Sequence, residues 1–283
     1  MISTLLSRLG RLKVTLILAA ALAAVAFALL HFGPKFEAKV IRSASTNLHN
    51  LGEGRIGTLI SSAFVNPADS IGIWLPGVVA VLALGELLWH SRRLLVAFAV
   101  GHIGATLLVA AGLAAALALG LQSHSIVDVA DVGMSYGVVG VLGTFTAAIP
   151  RRWRAAWTGW WLAVALGSAV LNGGDFTAVG HALALILGMG VGIRFAQPTH
   201  WTLTRYALLV IAGGFGYLLI ASGRDLGTVA AIGLLGAALA QVVSVIWQVV
   251  ARSQTNSSAL ASIQSDSQVS GGSSSSSPGI NHS

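Results

Sequence analysis

Apolar residues in this chain do not alternate with polar ones; they gather in long unbroken runs separated by short polar breaks. The runs are Val14–Phe32, Ile71–Trp89, Leu94–Gly120, Gly133–Ile149, Ala156–Leu171, Ala178–Phe195, Tyr206–Ser222 and Thr228–Val250. Each reaches or approaches the roughly 20 residues that a helix needs to cross a hydrocarbon core of about 30 Å. Strands of a membrane barrel would instead show alternation in segments of about 10 residues, so the pattern predicts eight helices and no sheet.

Composition agrees with the pattern. The 283 residues are 55% hydrophobic and only 9% charged, with a mean hydropathy of +0.82, which excludes a soluble domain of this size. The fold class expected is therefore an all-α polytopic membrane protein. With no cysteine in the chain, disulfides, thiolate catalysis and cysteine-ligated metals are excluded. No other metal or cofactor is expected.

The net charge of +7 first suggests nucleic acid, but its distribution gives a different reading. With the N-terminus placed in the cytoplasm, Arg8, Arg11, Lys13, Arg92, Arg93, Arg151, Arg152, Arg154, Arg194, Arg205 and Arg252 fall on the inner side. Lys35, Lys39, Arg42, Arg55 and Arg224 fall outside, an eleven-to-five bias. This is the positive-inside distribution of a multi-pass cell-membrane protein with both termini cytoplasmic, so no nucleic-acid partner is needed. The Ala/Gly/Arg-rich, Lys-poor usage points to a GC-rich bacterial genome.

The chain divides along the same lines. Residues 1–32 hold a cytoplasmic start and the first span, whose apolar stretch of about 19 residues exceeds a signal-peptide core and reads as an uncleaved anchor. An outer loop follows over 33–70, where Ile56–Val65 (IGTLISSAFV) reads as an interfacial helix. A core is expected over 71–196 and two further spans over 203–251. The Ser/Gly-rich stretch 253–283 reads as a disordered cytoplasmic tail. No internal repeat supports an inverted-repeat transporter.

Two polar residues inside the apolar runs carry candidate chemistry. GMSYGVVGVLG sets Ser135 among Gly133, Gly137, Gly140 and Gly143, and GHALALILGMGVG sets His181 at the start of the sixth run. Small residues at such spacings let membrane helices approach closely, and a serine among them most simply bonds a backbone; an ionisable residue within a span marks a partner or a function. Both spans run from outside to inside. Ser135 lies sixteen residues before Arg151 and His181 thirteen before Arg194, about 24 and 20 Å at 1.5 Å per residue, so they share a level within about one turn. Gly180, Ala184, Gly188 and Gly192 would let the second helix close on the first. A neutral imidazole there can take the hydroxyl proton as the oxygen attacks a carbonyl. No aspartate shares the level, so the pair would be a dyad, and the short fourth run would leave a polar cavity above Ser135, kept wet by Asp128 and Asp131.

Other polar residues read as structural. His102, in the inner half of the third run, lies too deep to serve Ser135 and reads as a packed histidine. Glu86, near the inner end of the second run, reads as an anchor paired with Arg93 or His90. The cluster Trp153, Trp157, Trp160 and Trp161 begins at the inner interface, as an aromatic belt does.

The two motifs resemble those of rhomboid proteases: a Gly-x-Ser motif with glycines five and eight residues after the serine, met here by Gly133, Ser135, Gly140 and Gly143, and a histidine helix with glycines at seven and eleven, met by Gly188 and Gly192. GELLWHSRRLLVAFAVGHIGATLL is similar to that family's turn from second to third helix, and GRIGTLISSAFVNPADS to its outer loop. The resemblance spans roughly Gly54 to Arg194. It implies a six-helix core, extended here by about two C-terminal helices, and intramembrane serine proteolysis of transmembrane client proteins, with Ser135 as nucleophile and His181 as base. The chain departs from the family in three places. The second helix lacks the histidine and asparagine that hold the oxyanion, their places reading Ile73 and Gly77; Tyr136 follows the serine where glycine is usual; and Ala184 stands three residues after the histidine. Loss of one oxyanion donor typically costs ~10²–10³ in rate. The departures raise an alternative, a pseudoprotease that binds client helices without cutting them. A small-molecule transporter, motivated by the glycine-rich spans, is a further alternative.

Overall fold

The computed structural model describes residues 10–66, 71–221 and 225–271. The described residues form helices and no strand. In chain order these are α1 (Lys13–Phe32), α2 (Pro34–Ala44), α3 (Leu48–Gly52), α4 (Thr58–Ser61), α5 (Ile71–Ala99), α6 (Ala105–Ala118), α7 (Ser135–Thr144), α8 (Arg151–Leu171), α9 (Phe176–Gly192), α10 (Leu203–Ile220) and α11 (Leu226–Gly271). A helix stands on each of the eight apolar runs. Lys13–Phe32, Trp74–Ala118, Leu203–Ile220 and Leu226–Gln254 are long and apolar enough to cross a membrane, and Ser135–Ala147 and Phe176–Gly192 are shorter apolar helices. The protein is an all-α polytopic membrane protein.

The tract α5 is two antiparallel limbs joined at His90, whose backbone (φ 66°, ψ 165°) leaves the helical region. That exposed residue adopts a conformation usually left to glycine, the cost of a hairpin turn one residue long. Beyond it the chain climbs through a wider turn, Val100–Gly104, inserted ahead of α6, as single-turn π-bulges commonly are near functional residues.

Packing follows the positions of small residues. A Cβ on Gly188 of α9 would lie 1.9 Å from the Gly140 carbonyl oxygen of α7, and one on Gly143 would lie 2.4 Å from the Leu185 carbonyl oxygen. The two backbones therefore touch, which only glycine permits. Gly101 meets Gly140 in the same way, a Cβ there standing 2.7 Å from the Gly140 Cα, so α7 is wedged between two helices. Large side chains fill the remaining sectors: Val139, Phe145, Leu142, Leu185, Leu82 and Trp161 are all at most 2% exposed.

Glu86 has a role different from the one its sequence position suggests. Its carboxylate accepts from the backbone N–H groups of Val14 (3.0 Å) and Thr15 (2.8 Å), from the Thr15 hydroxyl (2.7 Å) and from the Ser91 hydroxyl (2.6 Å). It thus caps the start of α1, where unpaired N–H groups and the helix dipole favour an anion; Arg93 instead lies over the Phe195 ring at 5.4 Å. The expected disordered tail also differs: α11 continues as helix to Gly271. The stretch ALASIQSDSQ is rich in helix-compatible Ala, Leu and Gln and extends an existing helix without a breaker, and the glycine pair Gly271-Gly272 is the first strong stop. Residues 272–283 of that tail lie outside the described residues.

Replacing Gly188 by alanine forces α9 off α7. Thermal unfolding in detergent should show the variant destabilised by about 2–3 kcal/mol, whereas Gly190→Ala, with nothing within 4 Å of its Cβ, should unfold like the wild type.

Candidate functional site

Ser135 is the first residue of α7. The preceding turn is set by Gly133, whose φ of +120° excludes a side chain without strain. Its N–H donates to the Ser62 carbonyl at 2.8 Å, which ties the serine turn to the outer loop. In that loop the stretch Ile56–Val65 holds the short helix α4 (Thr58–Ser61) and a 3-10 turn over Ser62–Phe64, partly buried. Ile56 and Ile60 are 72% and 65% exposed while Thr58, Ser62 and Ala63 are buried, apolar outward and polar inward, the arrangement that suits a loop lying in lipid.

The inward polar atoms form a chain. Ser62 Oγ stands 3.3 Å from His102 Nε2 and 3.0 Å from Thr46 Oγ1, and Thr46 Oγ1 donates to the Thr58 carbonyl at 2.8 Å. His102 therefore lies within one residue of the support of the Ser135 turn, which corrects the expectation that it is too deep. The loop folds in among the helices and meets it. Sequence reasoning passed over Ser62 and Thr46; the available signal was a pair of serines, Ser61 and Ser62, within an otherwise apolar stretch.

His181 is 3% exposed on α9, one turn after the helix start that Asp175 caps by accepting from Thr177 and Ala178 N–H. Among the described residues neither imidazole nitrogen has a hydrogen-bond partner, so no hydrogen bond joins His181 to the half-buried Ser135. Tyr136 packs against it: its ring meets the imidazole edge-on with centroids 5.4 Å apart, and a Cβ on Gly180 would lie 2.3 Å from its hydroxyl oxygen. The Tyr136 hydroxyl is buried, with the Thr177 side chain in hydrogen-bond reach. Unpaired buried polar groups are rare and costly in folded proteins, and both His181 nitrogens are such atoms.

At the start of α7 the first N–H groups point away from the helix with no intrahelical acceptor; Val138 N–H is the first that closes onto the helix, donating to the Met134 carbonyl. Two carboxylates, Asp131 and the α9 cap Asp175, stand close enough to Tyr136 to act on it. Asp128 lies 3.8 Å from His49 Nδ1, and Asp131 is fastened by its backbone, its N–H donating to Ser45 Oγ at 2.8 Å and its carbonyl accepting from Thr46 N–H at 3.0 Å. Among the described residues no group of three or more His, Cys, Asp or Glu is arranged to hold a metal ion.

A helical membrane protein with a serine at one helix start and a histidine on the neighbouring helix is the class these features define. A family model described as "Rhomboid-like protein" matches residues 10–196, and the chain belongs to that rhomboid-like family. No curated protein and no solved structure matches it. The match ends just past α9, so α10 and α11 lie beyond it.

Burial pushes the Asp131 carboxyl up to about 6. A folded value above the unfolded one of about 3.9 means that the protonated acid suits the fold. The associated stability is full below that unfolded value and is lost as the pH climbs through 6. Asp131→Asn should therefore unfold like the wild type at low pH and be more stable near neutrality by about 1–2 kcal/mol, as read from thermal unfolding in detergent across the pH range.

Proposed function

We propose that this rhomboid-like membrane protein is an intramembrane serine peptidase that cleaves transmembrane segments of client proteins, with Ser135 as nucleophile and His181 as general base. What supports the reading is a half-buried hydroxyl at the start of α7 and, on the helix packed against it, a buried imidazole that meets the ring of the next residue, Tyr136, edge-on. Catalytic hydrogen bonds are often long or unmade before substrate binds. In the proposed reaction His181 takes the Ser135 proton as Oγ bonds to the client carbonyl carbon. The oxyanion is held by the free N–H groups at the start of α7, and the proton passes to the departing amine as the C–N bond breaks. Water, deprotonated by the same imidazole, then releases the acyl group. The absent second-helix donors make this a slow peptidase. Clients are transmembrane proteins, the bilayer is the medium, no cofactor takes part, and the bias of basic residues supports cytoplasmic termini in the cell membrane.

Tyr136 favours a second reading, that of a pseudoprotease holding client helices without cutting them, because its ring occupies the space against His181. A fluorophosphonate probe separates the two. Under the peptidase reading the wild type is labelled, Ser135→Ala is not, and His181→Ala loses labelling rate by about 10²-fold or more. Labelling that persists in Ser135→Ala, or none in the wild type together with client capture unaffected by Ser135→Ala, sinks it.

A further inference from the structure

α8 and α10 part because their other neighbours draw them aside. α8 rests on α11 backbone to backbone, a Cβ on Gly159 standing 2.3 Å from the Gly236 carbonyl oxygen. α10 is held on its opposite flank by α5 and α7: the Phe215 ring enters the notch left by Gly77, 2.2 Å from where a Cβ would stand, and a Cβ on Gly216 would lie 2.5 Å from Leu142 Cδ2. Between them runs an apolar groove, open to the surroundings. Trp157 and Trp160 wall it on one side and Leu209 and Val210 on the other, with Tyr217 toward its far end.

The groove has a polar mouth where α8 and α10 begin. Arg152, Trp153, Trp201 and Tyr206 line it, and Trp157 and Leu209 belong to mouth and groove alike, so the two are continuous. Trp153 and Tyr206 are 56% and 53% exposed, and amphipathic rings of this kind settle at the level of lipid headgroups. From Tyr206 to Tyr217 is eleven residues, about 16 Å of helix. That is close to half of a hydrocarbon core of about 30 Å, the depth that one acyl chain fills.

The mouth carries positive charge without a matching carboxylate among the described residues. Arg151 and Arg152 are exposed, and Gln241 of α11 fixes the backbone between them and the groove by donating to the Arg152 carbonyl at 2.9 Å. The neighbouring Arg154 and Arg205 donate to backbone carbonyls, partners that leave their charge unmatched. Glu86 is the carboxylate at this end, and its oxygens are taken by Val14, Thr15 and Ser91. Asp266 lies 25 residues past Gln241, about 37 Å along α11, and the other described carboxylates stand at the opposite end of the bundle.

We propose that the groove between α8 and α10 binds an anionic phospholipid, its phosphate at Arg151 and Arg152 and one acyl chain laid along α10 toward Tyr217. Charge decides the class. A phosphatidylcholine headgroup brings a cation that meets no carboxylate here, whereas phosphatidylglycerol brings net negative charge to a basic mouth between helices. Seated there, the lipid braces α10 against α8, which the protein's own side chains leave apart. The site does not depend on any client being cut.

Brominated acyl chains quench tryptophan on contact, and Trp157 and Trp160 stand in the wall. The full-length protein in dodecylmaltoside micelles is titrated with phosphatidylglycerol or phosphatidylcholine brominated in the acyl chains. Quenching should saturate at about tenfold lower mole fraction of phosphatidylglycerol than of phosphatidylcholine. Arg151→Gln with Arg152→Gln should remove the preference, and Arg151→Lys with Arg152→Lys should keep it. Gly213→Leu, built where a Cβ meets nothing within 4 Å, should fill the groove and weaken phosphatidylglycerol quenching at an unchanged unfolding temperature. Glycerol 3-phosphate, a headgroup without chains, should not displace the lipid. Equal quenching by the two lipids, a preference that survives the glutamine pair, wild-type quenching of Gly213→Leu, or displacement by glycerol 3-phosphate overturns the proposal.

Discussion

No methyl group fits between α7 and α9. That contact, with Gly188 resting on the Gly140 carbonyl and Gly143 on the Leu185 carbonyl, fixes where everything else in the core can stand. Hydrophobic burial gives membrane helices little reason to associate, because lipid tails are as apolar as leucine; close approach gains dispersion contact that lipid cannot supply. A seam made of backbone has no rotamers to adjust, so the register of α7 on α9 is fixed within a fraction of a turn. In that register the first turn of α7 lies beside the imidazole of His181, the Tyr136 ring meeting it edge-on.

The polar groups that surround this seam hold ends of elements in place. Glu86 gathers three donors at the start of α1 and the Ser91 hydroxyl, and Arg154 donates at 3.2 Å to the Ala147 and Ile149 carbonyls at the end of the α7 segment. The Thr46, Ser62 and His102 chain anchors the outer loop, and through the Ser62 carbonyl it anchors Gly133. In a hydrocarbon surrounding each of these would be expensive to leave unpaired. Among the described residues the two His181 nitrogens are buried without such a partner, as are atoms of Trp157 and Trp161.

Much of this was readable in the residues. Helix positions followed from run length, since the bilayer fixes how many apolar residues a crossing takes. The closeness of α7 and α9 followed from glycines at matching intervals. What could not be read were features created by tertiary contact. The sequence offers Glu86 two nearby basic partners, Arg93 and His90, and nothing in it says that the start of a helix over 70 residues away needs an anion more. The inner-half placement of His102 was a statement about depth along a helix, and it missed a loop that folds inward to meet it. The consequence of Tyr136 depended on which way one ring turns, and α10 carried no motif, so its place against α5 and α7 emerged only from packing.

The central claim is that the glycine seam sets Ser135 and His181 side by side. In a chain without other cysteines, Ser135→Cys with His181→Cys can be treated with a short bis-thiosulfonate reagent in native membranes and read by mass spectrometry of the digested protein. The account predicts an intramolecular link between the two positions in most molecules, lost when Gly188→Leu is added. Modification of both thiols without a link between them, in protein that keeps the wild-type unfolding temperature, would contradict it.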